Sequence, residues 1–286
     1  MYIILKNKKN IYFWDKLCEK YNIQELYLFN ADSFLYKILK KIGIIVLGNW
    51  KRDIGKYEKF IIFESLYNKQ ISRKIKKNNP NCKVIIYFWN HINNTNKYIL
   101  KDINVDEFWT FDKEDAIKYQ IKYNPQFYTK MVNLNNKKNI INDIVFLGRP
   151  KDRKEDILNI ASILKKQKLR INFKIIENEK EFIKYDEYLD MISESKCILD
   201  YNQDGQIGLT LRPMEALFFE KKLITNNKDI KNYNFYNPNN IFILGEDNIE
   251  KIKDFIEKPY IKIKQEIVDY YDFTEWIKRF GVKNEF

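Results

Sequence analysis

Hydrophobic and polar positions follow two alternating patterns along almost the whole chain. Short apolar runs rich in β-branched and aromatic residues, bounded by polar turns, predict buried strands. These runs lie at residues 2–5, 25–29, 44–47, 59–63, 84–89, 107–111, 144–147, 172–176, 197–201, 223–225 and 241–244. Amphipathic stretches predict helices at residues 11–21, 33–41, 67–77, 113–123, 153–166, 186–194 and 249–257. Such alternation predicts parallel sheets with helices on both faces.

A polar segment at residues 133–142 (NLNNKKNIIN) divides this alternation in two and is typical of a linker. We therefore predict two doubly wound, Rossmann-like α/β domains, at residues 1–138 and 143–265, with ligands bound at the carboxyl ends of the strands in a cleft between them. In the last segment, residues 266–286, one helical face carries Phe273, Trp276, Ile277 and Phe280. We expect this helix to pack back on the N-terminal domain; a helix lying on a membrane surface is the alternative.

Amino-acid composition excludes some classes of function and leaves others possible. The 286 residues contain 51 Lys and Arg against 39 Asp and Glu, a net charge of +12, which suits nucleic acid, anionic lipid or a phosphorylated substrate. The lysines are scattered, which favours general solubility over a dedicated polyanion groove. Three distant cysteines and a single histidine argue against a disulfide framework and a zinc site. The apolar runs are far shorter than the roughly 18 residues of a membrane span, and we see no signal peptide. We expect a cytoplasmic protein, at most peripheral at a membrane.

The segment from Gly205 to Asn227 has the residues of a nucleotide site. A Gly-containing polar loop leads into Arg212-Pro213-Met214-Glu215, and proline suits the first turn of a helix. Loop amides and the positive end of the helix dipole would then face one point, with Arg212 and Glu215 beside it. Such a point can hold a phosphate and, next to it, a hydroxyl-rich group such as a ribose.

A second cluster, at residues 146–154 (FLGRPKDRK), places cations directly after a predicted strand that ends at Gly148. Positive side chains at a strand end beside a helix N-terminus can grip a diphosphate, and an ordinary solvated loop is the alternative. Further along, Asp200, Asn202 and Asp204 could suggest a metal loop. Their surroundings lack the Gly and Glu of a calcium loop, so we interpret them as lining the ligand cleft and predict no metal site.

Two motifs in these clusters resemble those of a known fold family. Gly148-Arg149 followed by Lys154 is similar to the G-R-x4-K segment of GT-B glycosyltransferases. Glu215-Ala216-Leu217, with Lys222-Leu223-Ile224-Thr225 after it, resembles the later E-A-[ML] signature of the same fold. Over residues 143–245 the pattern is similar to glycosyltransferases of bacterial lipopolysaccharide and capsule clusters, and over residues 1–140 only the architecture is similar.

The resemblance implies a function and a set of site residues. The C-terminal domain would bind a nucleotide-sugar donor, and the N-terminal domain would face a lipid-linked glycan acceptor at the inner face of the plasma membrane. No cofactor, metal or nucleic-acid partner is implied. Arg149 and Lys154 would hold the donor diphosphate, and Glu215 would bind the ribose. The loop and helix start that face the donor would contribute Gln206, Gly208, Leu209, Thr210 and Arg212.

His91 is the candidate catalytic residue, because a histidine at a comparable strand end contacts the donor sugar in retaining GT-B enzymes. If the reaction inverts, His91 is a candidate general base, since the ordinary pKa of histidine lies near neutrality. A structural or exposed histidine is the alternative. Asn90 and Asn202 are further candidates for donor-sugar contacts. Asp112 is expected to cap the helix that follows it, with Asp115 completing a capping box.

The chain also departs from the family pattern. The position eight residues before Glu215 holds Ile207 where many retaining enzymes have an acid, and the neutral Gln206 stands beside it. The loop at residues 6–10 lacks the glycines often found after the first strand. Retention or inversion therefore stays open. The alternatives are a nucleotide-sugar epimerase or other GT-B-fold enzyme, a catalytically silent scaffold, and a basic nucleic-acid-binding protein with salt-sensitive binding.

Overall fold

A computed structural model of the chain describes residues 1–6, 13–28, 38, 47–135, 139–178, 181–203 and 208–282. Apart from Ile38 and Leu47, the helix predicted at residues 33–41 and the strand predicted at 44–47 lie outside the described residues, as do Asp204, Gln206 and Ile207. The chain forms two compact units. The first contains the chain up to Pro125 together with the chain from Trp276 onward, and the second contains Gln126–Glu275.

The first unit is built on a parallel sheet of six strands in the order β2-β1-β3-β4-β5-β6. The strands are β1 Tyr2–Lys6, β2 Ile23–Glu25, β3 Lys59–Phe63, β4 Lys83–Phe88, β5 Glu107–Thr110 and β6 Lys122–Tyr123. The connecting α-helices are Trp14–Lys20, Lys69–Asn78 and Lys113–Tyr119, with short 3-10 turns at Asn49–Arg52, Ile54–Lys56, Glu64–Leu66 and Lys97–Lys101. The central strands are buried on both faces, which explains why they read as continuous apolar runs.

Two predictions for the first unit were wrong. The strand predicted at residues 25–29 lies at Ile23–Glu25, where it pairs with Ile4–Lys6 of β1. The helix predicted through residue 123 ends at Tyr119, because Gln120 adopts a left-handed conformation (φ 52°). The chain then forms the short strand β6 beside β5. A left-handed residue that is not glycine gives no signal in the sequence.

The second unit is built on a parallel sheet of five strands in the order β11-β10-β9-β7-β8. The strands are β7 Asn142–Gly148, β8 Ile171–Ile175, β9 Ser195–Asp200, β10 Lys222–Thr225 and β11 Ile241–Ile243. The helices are Lys154–Lys166, Tyr185–Ser193, Leu211–Phe218, Ile252–Glu257 and Gln265–Tyr270, with 3-10 turns at Lys228–Asn232 and Ile249–Lys251. The core under this sheet includes Phe146, Leu199, Ile224 and Phe242.

The last segment, residues 266–286, differs from the single helix that we expected there. Two helices form instead, Gln265–Tyr270 and Phe273–Lys278. Asp272 separates them, because its carboxylate accepts a hydrogen bond from the Thr274 N–H at 2.9 Å and so begins a new helix. Trp276 is buried within the first unit, with its ring centroid 5.0 Å from that of Tyr87. Its apolar surface is therefore not offered to a membrane.

Two general expectations can be checked on the described residues. Cys18, Cys82 and Cys197 are all free thiols. Within the parts of the chain that the structure describes, no helix is both long and apolar enough to cross a bilayer.

Candidate functional site

The carboxyl end of β9 carries a buried aspartate that organises its surroundings. Asp200, the last residue of β9, is fully buried. Its Oδ1 accepts a hydrogen bond from Thr210 Oγ1 at 2.8 Å and lies 3.5 Å from Nη1 of Arg212. Burial raises the pKa of the Asp200 carboxyl, and the charge of Arg212 opposes that rise. Asp200 therefore fixes the start of the helix Leu211–Phe218 against the strand end.

Arg212 also connects this helix to β7. One terminal nitrogen, Nη2, donates to the Leu147 carbonyl, and the guanidinium lies 5.3 Å from the centre of the Phe146 ring. A Cβ at Gly148 would come within 2.7 Å of Nη2. A larger residue at position 148 would therefore displace the guanidinium from its place beside the backbone. Gly148 of the first motif and the predicted site residue Arg212 therefore lie close together.

Arg153, which sequence reasoning did not single out, joins the loops that follow β7 and β9. Its side chain is largely buried, with Nη1 donating to the Tyr201 carbonyl and Nη2 to the Arg149 carbonyl at 3.4 Å. Burial and the nearby charge of Arg212 lower the pKa of Arg153. The only indication of a role for Arg153 in the sequence was the surplus of cations at residues 149–154. Arg153 holds two loop backbones together at the strand ends.

The two residues predicted to hold a diphosphate differ in their surroundings. Arg149 is exposed, just beyond the end of β7. Lys154 is the first residue of the helix Lys154–Lys166, and its Nζ lies 2.9 Å from Oε1 of Glu177. Lys151, between them, donates to Gln203 of the β9 loop at 2.7 Å. Arg149, Lys151 and Lys154 are thus all exposed, and Lys154 is engaged in an ion pair at the surface.

Glu215 lies on the buried face of the helix Leu211–Phe218 and is 1% exposed. Its Oε1 accepts from the Tyr185 hydroxyl at 2.8 Å, and its Oε2 accepts from the Tyr188 hydroxyl at 3.2 Å. Tyr128 extends the chain by a hydrogen bond to the Tyr185 hydroxyl. Burial raises the pKa of the Glu215 carboxyl to about 7. Sequence reasoning missed the tyrosine partners, whose spacing of three residues places both on one face of the helix Tyr185–Ser193.

The loop before this helix is described only from Gly208. Gly208 has a φ of +92°, which favours glycine, and its carbonyl accepts from the Asn227 side chain at 3.1 Å. Leu209 is buried, and Thr210 has the extended backbone of an N-terminal flanking residue. Gln206 lies outside the described residues. The loop therefore places Thr210 beside Asp200.

His91 and Asn90 belong to the first unit, in the loop after β4. Asn90 donates a hydrogen bond to Oε1 of Glu64, and the Trp89 N–H donates to Oε2 of the same residue at 2.7 Å. Glu64 is buried, and burial raises the pKa of its carboxyl. His91 packs against Phe111, with ring centroids 5.0 Å apart. Its Nε2 is buried and has no hydrogen-bond partner among the described residues.

Two aspartates lie near His91. Its Nδ1 is 3.8 Å from Oδ2 of Asp112 and 4.0 Å from Oδ2 of Asp115. Among the described residues, these three form the one group of metal-ligating side chains whose donor atoms lie within 4.8 Å of one another. Asp112 caps its helix by accepting from the Asp115 N–H at 2.8 Å. Asp115 does not complete a capping box, because its carboxylate accepts from the Ile92 N–H at 2.8 Å instead. Both aspartates thus have a structural role.

A cavity of about 210 Å³ lies elsewhere in the second unit. It is lined by Leu217, Phe218 and Tyr260, among others, near the carboxyl end of the helix whose amino end carries Arg212. Its lining contains none of the predicted site residues. The strand ends of the second unit remain the candidate site because buried charges converge there.

Comparisons with known proteins inform the fold. No protein-family model matches the chain, and no curated protein matches it in sequence. Among solved structures, TarM matches with a TM-score of 0.50 and 12% identity over 78% of this chain and 54% of TarM. An α1,3-fucosyltransferase in complex with GDP-fucose matches with a TM-score of 0.45 and 13% identity over 100% of this chain and 91% of that chain. A second structure of an α1,3-fucosyltransferase matches with a TM-score of 0.41 and 12% identity over 97% of this chain and 89% of that chain.

The match to TarM, a glycosyltransferase of GT-B type, shows the fold. It confirms the α/β class with two parallel sheets that the sequence predicted. This chain spans about half the length of TarM. At 12% identity the likeness concerns the fold alone.

Proposed function

We propose that this chain is a glycosyltransferase that moves a sugar from a nucleotide-sugar donor to a glycan acceptor. The observation that supports it best is the convergence of Arg212 and Arg153 on the strand ends of the second unit, with Arg149 exposed beside them. In open α/β sheets, ligands bind outside the carboxyl ends of the strands. A GT-B type fold makes a nucleotide sugar the natural ligand for such a site.

The cations have two different tasks in the proposed reaction. Breaking the bond between the sugar carbon and phosphate builds negative charge on the leaving diphosphate, and preorganised cations and amides stabilise that charge. Arg149 and Lys154 bind the diphosphate, and Lys154 leaves Glu177 to do so. Arg212 and Arg153 hold the two loops in place. The reaction proceeds without a divalent metal because these groups meet the charge.

Glu215 binds the donor ribose in this proposal, and ribose hydroxyls take the place of Tyr185 and Tyr188 as its hydrogen-bond partners. A carboxyl with a pKa of about 7 can accept a hydrogen bond from one hydroxyl or donate its proton to another near neutral pH. The loop residues Gly208, Leu209 and Thr210 face the donor sugar and phosphates. His91 is the candidate catalytic residue and Asn90 is a candidate for sugar contacts; both belong to the first unit.

We further propose a lipid-linked acceptor, part of a bacterial surface glycan such as lipopolysaccharide or capsule. A net charge of +12 would be useful there, since the inner leaflet is anionic. The protein would then act in the cytoplasm, peripheral to that membrane.

A transfer assay tests the proposal. The protein is incubated with nucleotide sugars, with and without lipid-linked glycan, and the products are identified by mass spectrometry. We expect acceptor-dependent transfer that Arg149→Ala and Glu215→Ala strongly reduce. Lys166→Ala, which removes one exposed charge elsewhere in the same unit, should leave the rate unchanged. Epimerised donor without acceptor would contradict the proposal and favour an epimerase.

A further inference from the structure

Asn202 is a buried amide that the protein leaves unsatisfied. The residue lies two positions beyond the end of β9 and is 3% exposed. Both Oδ1 and Nδ2 are buried, and neither has a hydrogen-bond partner among the described residues. Buried amides are almost always paired, because an unpaired one loses its hydration without compensation. A native protein that keeps such a group needs a reason for it.

The backbone of Asn202, in contrast, is held at two points by Asn226. Oδ1 of Asn226 accepts from the Asn202 N–H at 2.7 Å, and Nδ2 of Asn226 donates to the Asn202 carbonyl at 3.0 Å. The last ladder pair between β9 and β10 is Asp200 with Thr225. The Asn226 side chain therefore continues the pairing beyond the end of the sheet. It fixes the main chain from which the unsatisfied amide projects.

The surroundings of Asn202 suit a ligand beside a diphosphate. The preceding residue, Tyr201, offers its carbonyl to Arg153, and the following residue, Gln203, binds Lys151. Arg153 also keeps its Nε buried without a partner among the described residues. Tyr201 and Gln203 are half-exposed, so the buried amide lies one residue from accessible surface on either side.

We propose that Asn202 binds hydroxyl groups of the sugar ring that flanks the donor diphosphate, and that Asn226 positions it for this. A carboxamide offers two donors and one acceptor oxygen, which match adjacent ring hydroxyls, since each hydroxyl both donates and accepts. A neutral amide among cations recognises the uncharged part of the ligand, while the cations bind its phosphates. The ring is either the ribose or the transferred sugar. This inference rests on the proposed function.

The first test needs no ligand. Asn202→Leu keeps the shape of the side chain and removes the unpaired amide, so the Tm should rise. The matched control is Asn240→Leu, in the same unit. Asn240 is equally buried, but its amide is paired at both ends with the backbone of Ile261, at 2.7 and 2.9 Å. Its replacement should lower the Tm, because the Ile261 groups lose their partners. A fall in Tm for Asn202→Leu like that of the control would overturn the proposal.

The second test measures ligand binding by calorimetry with inorganic diphosphate, a nucleoside diphosphate and the nucleotide sugar. We expect Asn202→Leu to weaken binding of the nucleotide sugar about tenfold or more and to leave inorganic diphosphate unchanged. Asn226→Ala should weaken the nucleotide sugar less, because it loosens Asn202 without removing it. A similar loss with the nucleoside diphosphate assigns the contact to the ribose; a loss confined to the nucleotide sugar assigns it to the transferred sugar.

The outcomes separate the two proposals. Wild-type protein that binds no nucleotide sugar refutes the proposed function and this inference with it. Wild-type binding that survives Asn202→Leu unchanged, or an equal loss of inorganic diphosphate, refutes this inference alone.

Discussion

Replacing Glu215 by glutamine should remove a large pH dependence of stability. In the folded chain, burial raises the pKa of this carboxyl from 4.5 to about 7. Between these values the folded state holds a proton that the unfolded state has released, so the free energy of unfolding falls as pH rises from about 4.5 to 7. At about 1.4 kcal/mol for each pH unit, the loss is roughly 3 kcal/mol.

The assay is denaturant unfolding of wild type and Glu215→Gln at pH 5 and pH 8. Glutamine does not titrate, so the variant should be the more stable protein at pH 8, and most of the difference should vanish at pH 5. Asp200 and Arg212 are present in both proteins, and their contribution largely cancels. Glu257→Gln, an exposed site in the same unit, is the control and should follow wild type. Parallel stability profiles for wild type and Glu215→Gln would refute the reasoning.

Three further predictions concern single contacts. Gly148→Ala places a Cβ 2.7 Å from Nη2 of Arg212 and should cost about 1–3 kcal/mol in denaturant unfolding; an unchanged midpoint would contradict this clash. Asp112→Ala removes a helix cap and should cost about 1 kcal/mol, most of which Asp112→Ser restores; equal losses in the two variants would argue against capping. Tyr188→Phe removes a hydrogen bond that favours the ionised carboxyl, so an NMR titration should show a higher pKa for Glu215, and a lower one would count against the assigned bond.

The sheets could be predicted from sequence because their strands are buried on both faces. Residues 59–63 were predicted as a strand and form β3 with the same bounds. The strand predicted at residues 223–225 forms β10 with one residue added. Such runs carry their own signal, since continuous burial demands continuous apolar character. The strand β6 carries little of this signal, because it is two residues long and Lys122 is exposed. Its formation depends on the left-handed turn at Gln120.

The candidate site could be predicted only where local sequence determines it. A glycine at the end of a strand, followed by cations, marked the loop after β7, and the proline near the start of the helix Leu211–Phe218 marked the loop after β9. The contacts of Arg212 with the Leu147 carbonyl and of Glu215 with two tyrosines join residues far apart in the chain. No local pattern encodes such contacts, because they depend on how the elements pack.

Calorimetric titration of the intact chain with a panel of nucleotide sugars, in buffer containing EDTA, tests the central claim most directly. The claim is that side-chain cations at the strand ends of the second unit bind the donor diphosphate without a divalent metal. We predict that one nucleotide sugar binds wild type with a stoichiometry of one. Its affinity for Arg149→Ala should be lower by about tenfold or more, and its affinity for Lys166→Ala should equal that for wild type. No binding of any nucleotide sugar, or equal affinity for wild type and Arg149→Ala, would contradict it.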